Sequence, residues 1–88
     1  MHAVVFKASW SGDDSDSLEM LREQIVPRVS EAPGFVAGYW VRFEAEHRGT
    51  SVVVFDSEDD ARSASEQFQP PEGVTLDSAE VGEVVANA

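Results

Sequence analysis

Residues 35–58 read FVAGYWVRF, EAEHRG, TSVVVF, DSE. The first block alternates through nine positions, with Phe35, Ala37, Tyr39, Val41 and Phe43 on one side and Val36, Gly38, Trp40 and Arg42 on the other. Period two in aromatic and β-branched residues is the signature of a strand. Both sides carry apolar groups, so neither is simply a wet face. Residues 44–48 are polar and Gly49 completes a turn, after which residues 50–55 form the returning strand of a hairpin. Asp56 and Ser57 then cap a helix that places Glu58, Asp59 and Asp60 in its first turn, where exposed amides favour anions. Ala61, Ala64, Ser65 and Phe68 make its inward stripe, and the small members predict a close approach to the sheet.

Upstream, residues 2–8 are rich in Val and Phe and predict a strand, followed by a Ser, Gly and Asp loop from Trp10 to Asp16. Asp16 with Glu19 has capping-box spacing, in which each side chain satisfies an orphan amide. Leu18, Leu21, Ile25 and Val29 recur at helical spacing, and Pro27 should kink the last turn. Pro33-Gly34 ends the helix. Downstream, Gln69-Pro70-Pro71-Glu72-Gly73 predicts a rigid turn, and residues 74–85 a last strand with a bulge at Gly82. The order is β-α-β twice over. It predicts one ferredoxin-like α+β domain across residues 1–88, with a four-stranded antiparallel sheet and both helices on one face. The helices cover one face only, yet Val52 and Val54 point opposite to Val53 and Phe55. An uncovered apolar face predicts a partner, most economically a second copy meeting it sheet to sheet.

Composition sets bounds on function. The chain has 88 residues, 17 acidic against 6 basic, and a net charge of −11. A chain this short buries only about 60% of the surface its unfolded form exposes, so its core is thin. Without cysteine it has neither disulfides nor thiolate metal ligands. Lys7, Arg22, Arg28, Arg42, Arg48 and Arg62 are scattered, which argues against nucleic acid and against an anionic membrane surface. No stretch approaches the roughly 20 apolar residues of a membrane span, and no basic leader precedes the first strand, so a cytoplasmic location is expected. The acidity itself reads as solubility.

Several stretches resemble the dimeric α/β-barrel group that includes the antibiotic-biosynthesis-monooxygenase-like domains. They are Pro33-Gly34-Phe35, Val52-Val53-Val54-Phe55-Asp56-Ser57-Glu58, Gly73-Val74-Thr75-Leu76 and the closing Glu83-Val84. The resemblance covers nearly the whole chain and specifies fold well and chemistry poorly. It implies a homodimer and one of two activities: cofactor-independent oxidation of polycyclic phenols, or haem degradation. The haem degraders use an Asn on the first strand, a Trp late in the third and a His on the second helix. Here the late third-strand residue is Phe55, and neither the Asn nor the His has a counterpart. The resemblance therefore points to the small relatives without an assigned activity.

No residue set announces a catalytic centre. His2 and His47 each lack a second ligand nearby in sequence, so no metal site is expected. Asp13-Asp14-Ser15-Asp16 lacks the glycine and closing Glu of a calcium loop. No phosphate loop or nucleophile elbow occurs. The aromatics remain. Phe6, Tyr39, Trp40, Phe55 and Phe68 are the candidate ligand-binding residues of a cleft between sheet and helices, though most also suit a core or an interface. Tyr39 and Trp40 face opposite ways, so only one of them can line it, and parity with Phe35 leaves the choice open. The reading is a binder of a small apolar or aromatic molecule, without cofactor. One alternative is a cofactor-free monooxygenase in which Tyr39 or Trp40 orients a phenol and His2 deprotonates it. The other is a purely structural dimerisation module whose cleft is filled. An enclosed cavity of roughly 300 Å³ or more with a convergent polar group favours binding or catalysis, and a cleft filled by Phe6, Phe55 and Phe68 sinks both.

Overall fold

The structure is a computed structural model. It describes residues 1–10, 19, 21–43, 47–70 and 73–88. Four strands form one antiparallel sheet: β1 (His2–Trp10), β2 (Phe35–Phe43), β3 (Arg48–Phe55) and β4 (Val74–Glu83), in the order β2-β3-β1-β4. Helix α1 runs between β1 and β2, as a π-helical turn Leu21–Ile25 continued by an α-helical turn Val26–Ser30. Helix α2 (Glu58–Gln67) joins β3 to β4. This is the predicted ferredoxin-like βαββαβ order, with β2 and β3 as the predicted hairpin.

Local chemistry accounts for each boundary. Pro27 falls where the wide π turn gives way to α geometry. It has no amide to continue the ladder and crowds the preceding carbonyl, so the interruption belongs at this residue. Ser57 caps α2, its hydroxyl accepting from the Asp60 amide at 3.2 Å. Gly34 adopts φ +78°, and a β-carbon there would lie 2.8 Å from the Asp60 carboxyl carbon. The turn between α1 and β2 thus requires glycine both for its backbone and for space. Trp10, expected in a loop, is instead the last residue of β1, paired with Val74. The expected cap at Asp16 lies outside the described residues.

The buried residues are few: Ala3, Val4, Phe6, Val53, Phe55 and Ala61. All but Ala3 form one cluster between sheet and helices, against which Val29, Ala32, Phe35, Trp40, Ala64, Phe68, Leu76 and Val81 pack. Ala61 is fully buried, so α2 does approach the sheet closely through its small residues.

Simple alternation fails at two bulges. In β2, Phe35 pairs with Phe55 and Ala37 with Val54, leaving Val36 as an extra residue. Past it the parity reverses, so that Phe35 and Trp40, five positions apart, both pack on the helix-side core. Phe35 had been placed on the face of Tyr39, and the bulge removes that equivalence. In β4 the register shifts between Lys7 and Ala8, which leaves Asp77 as the extra residue. The bulge expected at Gly82 is therefore at Asp77, while Gly82 pairs regularly with Ala3.

The face without helices is apolar on the β2 and β3 side. Tyr39 is 67% exposed and Val41 51%, and Tyr39 pairs with Val52. The acidic residues of β4 lie on the other edge of the sheet, where Asp77 accepts a hydrogen bond from the Ser9 hydroxyl at 3.3 Å. Among the described residues no helix is long and apolar enough to cross a membrane.

Candidate functional site

Between sheet and helices lie two adjoining hollows of about 260 and 140 Å³ that share Phe6, Ile25, Trp40, Ser51 and Phe68 in their walls. The sheet supplies the floor. Phe6, Ser51 and Trp40 all fall on the helix side, since Phe6 and Trp40 are both register partners of Ser51. Ile25 of α1, together with Ala64 and Phe68 from α2 and its end, supplies the roof. The larger hollow continues over Val53 and Phe55 towards Arg28, Gln67 and Gln69, and the smaller one over Ala8 and Trp10 towards Arg42 and Thr50. Small-molecule sites begin at about 300 Å³. The larger hollow approaches that size, and the smaller one extends it.

Both indoles rest on glycine. A β-carbon on Gly38 would meet the Trp40 ring at 2.8 Å, and one on Gly49 would meet the Trp10 ring at 3.3 Å. The absent side chains leave room for each ring to lie along the sheet and border the hollows instead of filling them. Phe6 and Phe68 stack tilted, with centroids 4.8 Å apart. Phe55 lies edge-on to Phe35 at 6.3 Å and is only 1% exposed, so it contributes to the wall from within the core. Of the five predicted residues, the structure gathers Phe6, Trp40, Phe55 and Phe68 around the cleft. Tyr39 is not among them, because the Val36 bulge turns Trp40 inwards and Tyr39 to the open face.

Sequence reasoning missed Trp10, Ile25 and Ser51 as wall residues. Trp10 was assigned to a loop, where no face can be read. Its indole N–H is buried without a hydrogen-bond acceptor, and leaving such a donor unsatisfied costs about 1–3 kcal/mol.

His2 lies elsewhere. It is at the far end of β1, where its Nε2 is 3.9 Å from a Glu58 carboxylate oxygen and its Nδ1 is buried without a partner. The base suggested for phenol oxidation does not line either hollow. Glu58 also accepts from the Arg62 guanidinium, at 2.9 Å from Nε and 2.6 Å from Nη2. That hydrogen bond and charge hold the Glu58 carboxyl below its ordinary value, with His2 a lesser contributor. A carboxyl depressed on folding stabilises the fold above its unfolded pKa, and that contribution fades as pH falls through the lowered value. An NMR titration should accordingly find Glu58 below the usual carboxylate range, and Arg62→Gln should return it upwards. An unmoved Glu58 would show that Arg62 does not set it. Among the described residues, no three His, Asp or Glu side chains are grouped so as to hold a metal ion.

No protein-family model matches the chain, and no curated protein does. Solved structures do. The heme-degrader MhuD of Mycobacterium tuberculosis, with two hemes bound in its active site, superposes with a TM-score of 0.72 at 15% identity, covering 100% of this chain and 99% of that one. An MhuD point mutant with two manganese protoporphyrin IX molecules per active site gives 0.63 at 17%, over 100% of this chain and 98% of that one. A heme-free form of the M. tuberculosis protein gives 0.63 at 22%, over 100% and 99%. Agreement over the full length of both chains, at identities this low, is agreement in fold. The chain has the ferredoxin-like βαββαβ fold of these solved structures.

Proposed function

We propose that this protein binds a small apolar or aromatic molecule in the cleft between its sheet and its helices. The observation that carries this reading is the seating of Trp10 and Trp40 on Gly49 and Gly38. Two large aromatics border an open hollow that a packing role would have closed. Haem does not suit the cleft as this chain builds it. Helix α2 carries no histidine, and among the described wall residues there is no His, Cys or Tyr to bind iron. Phenol oxidation draws no support from the geometry either, since His2 and Tyr39 both lie away from the cleft. As part of the same reading, two copies meet through the apolar face around Tyr39 and Val52, leaving each cleft accessible.

Tryptophan fluorescence tests the binding. Titration with N-phenyl-1-naphthylamine, an uncharged aromatic, should quench the tryptophan emission saturably. Trp40→Ala should weaken the association about tenfold, as expected for losing one aromatic wall. Absence of saturable binding would leave the structural reading in place. Oxygen uptake with a panel of hydroquinones should be nil, and turnover would establish an oxygenase instead.

A further inference from the structure

The two hollows meet at a waist. Of the described wall residues, five line both: Phe6, Ile25, Trp40, Ser51 and Phe68. Four of these are apolar or aromatic, and Ser51 is the one that carries a hydroxyl. Its direction follows from the sheet. Register partners in antiparallel strands project to the same face, and Ser51 is opposite both Phe6 and Trp40, which pack on the helix-side core. Ser51 is half-buried, and its hydroxyl bonds to none of the described residues. Unlike the Trp10 N–H and the His2 Nδ1, it is not sealed from solvent. Strand β3 has a neighbour on each side, so its backbone carbonyls are engaged by β1 and β2.

We infer that the occupant of the cleft is two-lobed, with unequal apolar lobes joined through a hydrogen-bond acceptor that receives the Ser51 hydroxyl. This rests on the ligand-binding reading above and adds the shape and polarity of the ligand. The larger lobe lies over Val53 and Phe55 in the hollow of about 260 Å³, and the smaller over Ala8 in that of about 140 Å³. A serine hydroxyl has one proton to donate. A wholly apolar occupant would strip it of water and leave that proton without an acceptor, which costs free energy. A carbonyl or ether oxygen between the lobes restores the bond. A ligand that only donated there would leave the serine proton unmet.

Two probes of similar shape provide the test: benzophenone, whose rings are joined by a carbonyl, and diphenylmethane, in which a methylene takes its place. Each should displace N-phenyl-1-naphthylamine from the intact protein, followed by fluorescence. Ser51→Ala should lower the affinity for benzophenone about fivefold relative to diphenylmethane, as expected for one neutral hydrogen bond. Ser51→Cys keeps the size and offers only a weak donor, so it should move the same ratio in the same direction, and it decides the case if the alanine variant does not fold. Ala8 lines the smaller hollow alone. Ala8→Leu should therefore weaken both probes about tenfold and leave their ratio as in the wild type. A ratio unmoved by the Ser51 variants overturns the acceptor at the junction, and affinities unmoved by Ala8→Leu overturn the second lobe. If the naphthylamine binds but neither diaryl probe displaces it, the inference fails and the cleft remains an apolar site. If the naphthylamine itself does not bind, the ligand-binding reading fails.

Discussion

Phe55→Ala should lower the unfolding free energy by about 3–5 kcal/mol, the largest loss expected from any single truncation in this chain. Phe55 is 1% exposed, packs edge-on to Phe35, and bridges β1 and β2 through its pairs with His2 and Phe35. Phe55 and Phe6 are the two largest side chains of the five-residue buried cluster, so truncating Phe55 opens a large void in a thin core. Domains of this size have about 5–10 kcal/mol in total, so the variant loses about half of its stability. Phe55→Leu keeps most of the volume and should cost under about 2 kcal/mol, which leaves a folded protein to measure. Urea titrations of both variants decide the matter. A loss below about 1 kcal/mol for the alanine variant would mean that the wall at Phe55 collapses freely, and that the residue serves the cleft more than the core.

Tyr39→Asp addresses the other face. If two copies meet there, a two-fold axis brings the new carboxylate into the interface from both sides, away from water and without a partner. Each buried, unpaired ion costs several kcal/mol, so the dissociation constant should rise at least about 100-fold. Light scattering at micromolar concentration should then change from the mass of two chains to the single-chain 9.6 kDa. Tyr39 is 67% exposed within one chain, so the substitution leaves the fold intact and its effect is on association alone. Wild-type protein scattering as a monomer, or a variant still dimeric, would overturn the sheet-to-sheet assembly. The location of the charges favours it. Glu80 and Asp77 are on β4, at the opposite edge of the sheet from β2, and so border an apolar patch instead of interrupting it.

Much of this molecule is legible in its residues. The alternation of residues 35–43, the Ser57 cap and the Ala61 stripe gave the hairpin, the helix start and the close approach of α2. All three depend on neighbours within a few positions, where spacing and backbone geometry fix the outcome. Pro27, expected to kink the last turn of α1, falls in the first turn after the π-helical segment, and no kink is described at it. The reading of the cleft was less complete. Phe6, Trp40, Phe55 and Phe68 do surround it, but Tyr39 could not be separated from Trp40, and Trp10 was placed in a loop.

The reason lies in the two bulges. Strand parity is a local rule, and one extra residue reverses it for everything beyond. Val36 and Asp77 became extra residues because β3 and β1 offered pairing partners at particular positions, and those partners lie far along the chain. The same holds for the seating of the Trp10 ring, from β1, against Gly49 of β3. Residue order sufficed for the βαββαβ plan and its acidic exterior, since both follow from short-range periodicity and composition. Which aromatic faces inwards, and which residues come together as the walls of the cleft, depend on cross-strand pairing that exists only once the sheet has formed.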